Sequence, residues 1–134
     1  MDMFATIRQT ALMDKYQGNN PELIAGDTAL RLATQNSAWA LGFADSGKLE
    51  AGAPADLILV NLDAPHMRPR HSLIANLVHS AKGADVTDVM VDGRWLMRKR
   101  ELTMLDEAKI LAEAEAHALA MVGRGMKQVR EYKG

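Results

Sequence analysis

The first element that the hydrophobic pattern predicts is an amphipathic helix over Met3 to Lys15. Its apolar positions recur at the spacing that one face of a helix requires, and they are Phe4, Ile7, Ala11 and Leu12. The segment from Gly18 to Pro21 is rich in residues that end helices. We see no start signal for this helix in the sequence.

A second helix is predicted to begin at Asp27 or Thr28, since either side chain can cap a helix, and to end at Gly42. One narrow stripe along it carries mainly small side chains, which are Ala29, Ala33, Ser37 and Leu41. Such a stripe allows close approach, so we expect this helix to pack tightly against a sheet or another helix.

The period of the pattern changes after Gly47, where strands are predicted. The apolar run from Ala55 to Leu62 lies between Pro54 and Pro65, a pattern typical of a strand buried on both faces. Further along, Asp92-Gly93 separates two apolar runs and predicts a β-hairpin, because a type I′ turn needs positive φ at both central residues.

Two more helices are predicted. Ser72 caps a short helix that is expected to bury Leu73, Ile74, Leu77 and Val78. A longer helix opens with a capping box from Thr103 to Asp106 and ends at Gly123. Its predicted apolar face consists of Ile110, Leu111, Ala114, Ala118, Met121 and Val122. The residues that follow are predicted to be a frayed end.

Together these elements predict an α+β chain with about four helices and three strands. Three short strands make a poor sheet unless another segment pairs with their edges, so we expect a partner that supplies this pairing. The chain is predicted to have three segments. Residues 1–46 are helical, residues 47–101 are rich in strands and contain the short helix, and residues 102–134 form the last helix and a tail.

Composition narrows the classes of function. With 16 Lys and Arg against 17 Asp and Glu in 134 residues, the chain lacks the basic excess that nucleic acid requires, and no such partner is expected. The densest basic group is interpreted as a solvated strand end and contains Arg94, Arg98, Lys99 and Arg100. The absence of cysteine excludes disulfides and thiolate zinc sites and favours a cytoplasmic location. No apolar run reaches the roughly 20 residues that span a bilayer, so no membrane association is expected.

The polar side chains form no catalytic arrangement in the sequence. The four histidines, His66, His71, His79 and His117, lack the spacing of metal ligands. Aspartates beside glycine, proline or strand ends are interpreted as turn and cap residues, and these are Asp45, Asp56, Asp63, Asp85, Asp88 and Asp92. No serine nucleophile motif or phosphate-binding glycine loop is present. The sequence therefore predicts no catalytic, cofactor-binding or metal-binding residue in this chain.

Individual histidines still receive an interpretation. His66 and His71 flank Pro69 and are interpreted as loop residues. His79 lies near a helix end, where a hydrogen-bonded or dipole-facing histidine is common. His117 is expected on the polar side of the last helix.

The order of the motifs is more specific than their chemistry. The segments ALRLATQNSAWALGF, GKLEAGAPADLILVNLD, LVHSAKGADVTDVMVDGRWLM and ELTMLDEAKILAEAEA closely resemble the C-terminal region of metal-dependent amidohydrolases of the chlorohydrolase and aminohydrolase group. Within that group the chain is most similar to the 5-methylthioadenosine/S-adenosylhomocysteine deaminases. The most specific matches are the hairpin from Val89 to Arg94 and the spacing of Gly47, Leu49, Gly52, Ala55 and Asp56.

The resemblance implies that this chain supplies the last helices of a (β/α)₈ barrel, the C-terminal strands of a small β-sandwich, and a closing helix. In this family the barrel holds a divalent metal, zinc or iron, through residues that would all precede Met1, so the chain alone would bind none. The metal activates water, which displaces ammonia from a purine nucleoside or a related N-heterocycle. Asp56 would bond turn amides, and the glycines would allow positive φ.

The leading hypothesis is therefore a C-terminal fragment of a deaminase-type amidohydrolase that is non-catalytic by itself. Its partner would be the missing barrel portion or a second copy of itself, and a homo-oligomer is expected rather than a monomer. Two alternatives stay open. The chain could be a stand-alone structural or oligomerisation module derived from an amidohydrolase, or one half of a split enzyme.

Overall fold

The computed structural model describes residues 2–18 and 26–122 of the 134. The chain forms two compact units, Met1–Glu101 and Leu102–Gly134. The predicted stop signals from Asn19 to Pro21 and the predicted frayed end after Gly123 lie outside the described residues.

Helix α1 spans Met3–Gly18, close to the predicted bounds. Phe4, Ile7 and Ala11 are buried, which confirms the predicted face. The prediction for Leu12 is wrong, because this side chain is 52% exposed.

Helix α1 also has a start signal that the hydrophobic pattern did not reveal. The Oδ1 atom of Asp2 accepts hydrogen bonds from the backbone N–H groups of Phe4 and Ala5, at 3.0 and 3.4 Å. Asp2 is therefore the N-cap of α1. The expectation of a helix without a start signal is wrong.

Three helical segments replace the single second helix that the pattern predicts. Helix α2 spans Gly26–Arg31, a π-helical stretch covers Leu32–Asn36, and α3 spans Ser37–Ala40. The Ser37 hydroxyl donates to the carbonyl oxygen of Leu32, five residues earlier, at 2.6 Å. This bond matches the wider turn of a π-helix and explains why the helix departs from regular α geometry here.

The predicted stripe on this helix is only partly buried. Ala29 is buried and Ala33 packs against the same cluster. Leu41 lies beyond α3 and is 74% exposed, so the prediction for it is wrong. The predicted start is also wrong, because α2 begins at Gly26 and Asp27 lies within its first turn.

Four strands form one sheet in the order β1-β2-β3-β4. Their bounds are Leu57–Val60 for β1, Val86–Val91 for β2, Arg94–Arg98 for β3 and Glu101–Leu102 for β4. Strand β2 pairs antiparallel with β1 on one side and with β3 on the other. The outer edge of β1 has no strand partner within the described ranges.

Strand β1 is not buried on both faces, as its apolar run predicts. Ile58 is 47% exposed and Leu59 is 48% exposed. Continuous apolar strands are buried where other elements cover both faces of a sheet, and the described part of this chain does not supply that cover.

Two turns with positive φ follow β2 and β3. Asp92 and Gly93 have φ of 48° and 73°, which confirms the predicted hairpin turn. Lys99 and Arg100 have φ of 49° and 71°, and no turn was predicted there because neither residue type favours this conformation. The N–H of Lys99 donates to Oδ1 of Asp88 at 3.2 Å, and the N–H of Arg100 donates to a carbonyl oxygen of β2 at 2.8 Å. Tertiary hydrogen bonds thus hold the second turn.

Helix α4 spans Leu73–His79. The Ser72 hydroxyl accepts a hydrogen bond from the N–H of Ala75 at 3.2 Å, which confirms the predicted cap. Of the residues predicted to be buried, Val78 is fully buried and Leu77 is half-buried. The other two predictions are wrong, since exposure is 53% for Leu73 and 43% for Ile74.

Two small clusters form the core of the first unit. One joins α1, α2 and α4 and contains Ile7, Ala11, Ala29 and Val78. The other contains Phe4, Met67 and Ala81, against which residues of β1 and β2 pack. Both clusters attach α1 to the remainder of the unit.

The second unit contains helix α5, Glu107–Val122. Asp106 caps it, because its Oδ1 accepts a hydrogen bond from the N–H of Lys109 at 3.0 Å. The predicted capping box is wrong, since Thr103 lies outside the first turn. Residues of the predicted apolar face are exposed, among them Ile110, Leu111 and Met121.

Candidate functional site

An apolar groove of about 430 Å³ lies in the first unit between α1, α2 and the paired strands β1 and β2. Six of its lining residues define the α1–β1 groove: Met3, Phe4, Leu30, Leu57, Ile58 and Met90. Two of them belong to β1, whose outer edge is free of strand partners in the part of the chain that the structure describes. The groove and the free edge therefore share the same exposed strand.

The polar residues that line the α1–β1 groove are Thr34 and Asp56. Oδ1 of Asp56 accepts a hydrogen bond from the N–H of Asp92 at 2.7 Å, which confirms that Asp56 bonds a turn amide. The Thr34 hydroxyl donates to the carbonyl oxygen of Leu30 at 2.8 Å. Both polar side chains are thus hydrogen-bonded to backbone groups, and the groove offers apolar contact rather than a pair of titratable groups for catalysis.

A wider depression of about 580 Å³ shares Leu57 and Ile58 with the groove. The turn that contains Gly47 forms one wall. Gly47 has φ of 80°, and an added Cβ would lie 2.7 Å from the carbonyl oxygen of Thr34. Only glycine fits this close approach, which explains the first glycine of the motif at residues 47–56.

A polar junction surrounds residues 81–86 in the same unit. Asp85 is 8% exposed, and its Oδ2 lies 2.8 Å from both Nε2 of His66 and the backbone nitrogen of Lys82. Burial alone would raise the pKa of Asp85, but the hydrogen bonds from His66 and Lys82 outweigh it and hold this pKa below its usual value. Asp85 is therefore a satisfied structural carboxylate.

Three more side chains bond to the same backbone segment. The Arg8 guanidinium donates to the carbonyl oxygen of Ala81 at 2.6 Å. Oδ2 of Asp2 accepts a hydrogen bond from the N–H of Gly83 at 3.0 Å, and this bond is the main cause of a lowered pKa at Asp2. The Arg100 guanidinium donates to two carbonyl oxygens of the segment at 3.0 and 3.3 Å. The junction thus ties α1 to the beginning of β2.

The four histidines have different surroundings in the structure. His66 lies in a 3₁₀ turn, Pro65–Met67, and pairs with Asp85, which the sequence did not reveal. His71 is exposed, and His117 is exposed on α5. His79 ends α4, where burial lowers its pKa and the positive charges of Lys15 and Arg8 lower it further.

Of the remaining aspartates, Asp88 confirms the predicted turn role, whereas the side chain of Asp63 does not. Asp88 accepts from the N–H of Lys99, and Asp63 forms ion pairs with Arg68 and Arg70 on the surface. Asp45 is exposed.

Two of the basic residues that were interpreted as solvated have partners. The Arg98 guanidinium lies 5.0 Å from the centre of the Trp95 ring, and the Arg100 guanidinium bonds carbonyl oxygens at the junction.

Two contacts of the junction region had no signal in the sequence. Arg8 reaches Ala81, 73 residues away. The side-chain amide of Asn76 donates to the carbonyl oxygen of Met67 at 2.6 Å. Arginine and asparagine occur at many exposed positions, so neither residue type nor spacing in the sequence distinguishes Arg8 and Asn76 from the others.

The donor set does not fit a divalent metal in the part of the chain that the structure describes. Across residues 2–18 and 26–122, no group of three or more His, Asp or Glu side chains could hold a metal ion. The His66 and Asp85 donors are bonded to each other. In the same ranges, no helix has the length and apolar content needed to cross a bilayer.

Comparison with known sequences identifies relatives over nearly the whole chain. The model of the amidohydrolase family matches residues 1–96. The 5-methylthioadenosine/S-adenosylhomocysteine deaminase of Dictyoglomus turgidum is 47% identical over 122 residues, which are 91% of this chain and 29% of the relative. The deaminase of the same name from Pelotomaculum thermopropionicum is 44% identical over 124 residues, again 29% of its length. The chain thus spans about 29% of the length of these curated relatives.

Solved structures give the same result. An adenosine deaminase from Xanthomonas campestris with bound zinc has a TM-score of 0.86 and 34% identity, over 91% of this chain and 28% of that one. An atrazine chlorohydrolase from Arthrobacter aurescens, complexed with zinc, has a TM-score of 0.76 and 29% identity, over 84% of this chain and 25% of that one. Both neighbours carry zinc, so the fold is found in metal-dependent enzymes.

Proposed function

Because this chain belongs to the amidohydrolase family, we propose that it is the C-terminal part of a hydrolytic deaminase and that it contributes scaffold rather than catalytic residues. The main support for this proposal is the difference between the share of this chain that is matched and the share of the relative that is matched. Some 91% of the chain matches the Dictyoglomus turgidum deaminase, yet the matched region is only 29% of that enzyme. The larger portion of the parent would therefore hold the catalytic residues.

The donor set of this chain supports the scaffold role. Among the described histidines and carboxylates, His66 and Asp85 are bonded to each other and Asp56 is bonded to a turn amide, and no group of three or more could hold a metal ion. Zinc in the solved neighbours supports a metal in the parent, held by the missing portion.

We assign residues 1–46 to the end of a (β/α)₈ barrel, residues 47–101 to a β-sandwich, and residues 102–134 to a closing helix and tail. The partner is then the missing barrel portion. It would cover the α1–β1 groove and pair with the outer edge of β1, where backbone N–H and C=O groups have no strand partner among residues 2–18 and 26–122. Exposed Ile58 and Leu59 would become buried in that assembly.

The substrate class follows from the names of the relatives. Two curated relatives are named for 5-methylthioadenosine and S-adenosylhomocysteine, and the solved neighbour from Xanthomonas campestris is named for adenosine. We propose that the parent releases ammonia from a purine nucleoside or a related N-heterocycle. A cytoplasmic location accords with the absence of cysteine.

A second candidate is an oligomerisation module. The free edge of β1 carries four apolar residues, Leu57–Val60, and no charge that would oppose pairing with another copy. In this case the second copy would cover the groove and the chain would form a homo-oligomer without a barrel. A split enzyme would use the same surfaces as the leading proposal.

The test is complementation. This chain would be combined with the part of the Dictyoglomus turgidum deaminase that it does not match, and ammonia release from 5-methylthioadenosine would be assayed. We expect no turnover from either piece alone and activity from the pair. Enzyme-like turnover by the 134-residue chain alone would contradict the scaffold role. Light scattering on the mixed pieces separates the two candidates: the fragment would form a complex with the barrel portion, whereas the module would remain a dimer of itself.

A further inference from the structure

The side chain of Asp2 makes two different sets of hydrogen bonds. Its Oδ1 caps α1 by accepting from the N–H groups of Phe4 and Ala5. Its Oδ2 accepts from the N–H of Gly83, which is 81 residues away in the chain. Both carboxylate oxygens are therefore used, one for the helix and one for a distant segment.

Gly83 is held from the other side as well. The Arg100 guanidinium donates to its carbonyl oxygen at 3.3 Å. A Cβ added at Gly83 would lie 3.4 Å from Cγ of Asp2, so the Asp2 carboxylate packs closely against the backbone of Gly83. The beginning of α1 is thus bonded through Gly83 to the segment that leads into the sheet.

In a (β/α)₈ barrel the loops that connect each strand to the following helix form the catalytic face. If α1 is a barrel helix, which rests on the proposed function, its N-terminal end borders that face. We propose that Asp2 is a positioning residue: it fixes the N-terminal end of α1 against residues 81–83 and thereby holds one side of the catalytic face in place. It does so without contacting substrate.

The substitution Asp2→Asn separates the two roles. Asparagine caps helices about as well as aspartate does. However, asparagine has a single acceptor oxygen, and when this oxygen caps α1 the amide NH₂ faces the N–H of Gly83. Two donors then oppose each other and the long-range bond is lost. Asp2→Ala removes both the cap and the bond.

The first measurement uses the full chain by itself. Amide hydrogen exchange followed by NMR should show several-fold faster exchange at Gly83 in D2N, with helical circular dichroism equal to the wild type. The exposed α1 variant Thr10→Ala is the matched control and should leave Gly83 unchanged. Unchanged exchange at Gly83 in a folded D2N chain would overturn the proposal.

The second measurement uses the complemented enzyme. D2N should lower kcat by about tenfold, because small displacements at a catalytic face are costly, while KM and the affinity between the two pieces stay the same. A role confined to helix capping would instead leave D2N equal to the wild type and affect only D2A. An active wild-type pair with unchanged kcat in D2N overturns the inference alone. An inactive wild-type pair would overturn the proposed function, and with it the assignment of Asp2 to the catalytic face.

Discussion

The polar junction and the α1–β1 groove belong to the same unit, and α1 contributes to both. They differ in burial, because the junction is buried and hydrogen-bonded while the groove leaves apolar side chains exposed. At the junction, buried Asp85 receives two hydrogen bonds, and the neighbouring Met67 is fully buried. At the groove, Ile58 stays about half exposed, and so does Leu59 beside it in the edge strand. The difference follows from the free energy of burial. A buried polar group without a hydrogen-bond partner destabilises the folded chain by roughly 1–3 kcal/mol. Exposed apolar surface can instead be covered by another protein after folding.

The largest expected effect concerns the groove. Ile58→Lys should reduce assembly with the barrel portion by at least about a hundredfold, because a buried, unpaired ammonium costs several kcal/mol. In the chain alone this half-exposed position should tolerate the change within about 0.5 kcal/mol. Titration calorimetry would measure the assembly, and Asp45→Lys in an exposed loop is the control. Normal assembly of the Ile58→Lys chain would show that the groove is not the docking surface.

The next effect sharpens the contrast in stability. Met67→Ala should lower the free energy of unfolding by about 2–5 kcal/mol, because it leaves a cavity beside Phe4 and Ala81. Leu59→Ala, at 48% exposure, should cost less than about 1 kcal/mol in the chain alone. Urea unfolding followed by circular dichroism would compare them. Equal losses would mean that the edge strand is already packed as well as the core.

A third prediction concerns the glycine turn beside the groove. Gly47 and Gly52 both have positive φ, 80° and 89°, so an alanine at either position costs roughly 1–2 kcal/mol of backbone strain. Only at Gly47 would the new Cβ clash, 2.7 Å from the carbonyl oxygen of Thr34. Gly47→Ala should therefore be the more destabilising by a further 1–3 kcal/mol or so. Similar midpoints of urea unfolding for both variants would contradict the close approach.

The smallest effect is the pH dependence of stability. The pKa of His79 is lowered from 6.5 in the folded chain, so below pH 6.5 the unfolded chain binds more protons and stability falls as the pH falls. Asp85, whose pKa is lowered from 3.8, adds a second loss below that value. His79→Gln should flatten only the upper step. An unchanged slope below pH 6.5 in this variant would contradict a lowered pKa of His79 in the folded chain.

Much of the local structure could be predicted from the sequence. The hairpin at Asp92-Gly93, the cap at Ser72 and the buried face of α1 all follow from a few adjacent residues. Asp2 shows the limit of pattern reading, because its capping role was recognisable from its type and position and was still missed. The resemblance to amidohydrolases also came from the sequence, since it depends on the order of motifs rather than on contacts.

Only the tertiary structure decided how distant segments meet. The pairing of His66 with Asp85, the bond from Arg8 to Ala81 and the positive φ of Lys99 depend on partners that are remote in the sequence. The exposure of β1 is a property of the same kind. An apolar run indicates that a strand is stable when it is buried. Burial requires other atoms against both faces of the sheet, and the described residues cover β1 only in part. Local preferences therefore determined the elements, while long-range packing determined which of their surfaces are buried and which stay exposed in the described residues.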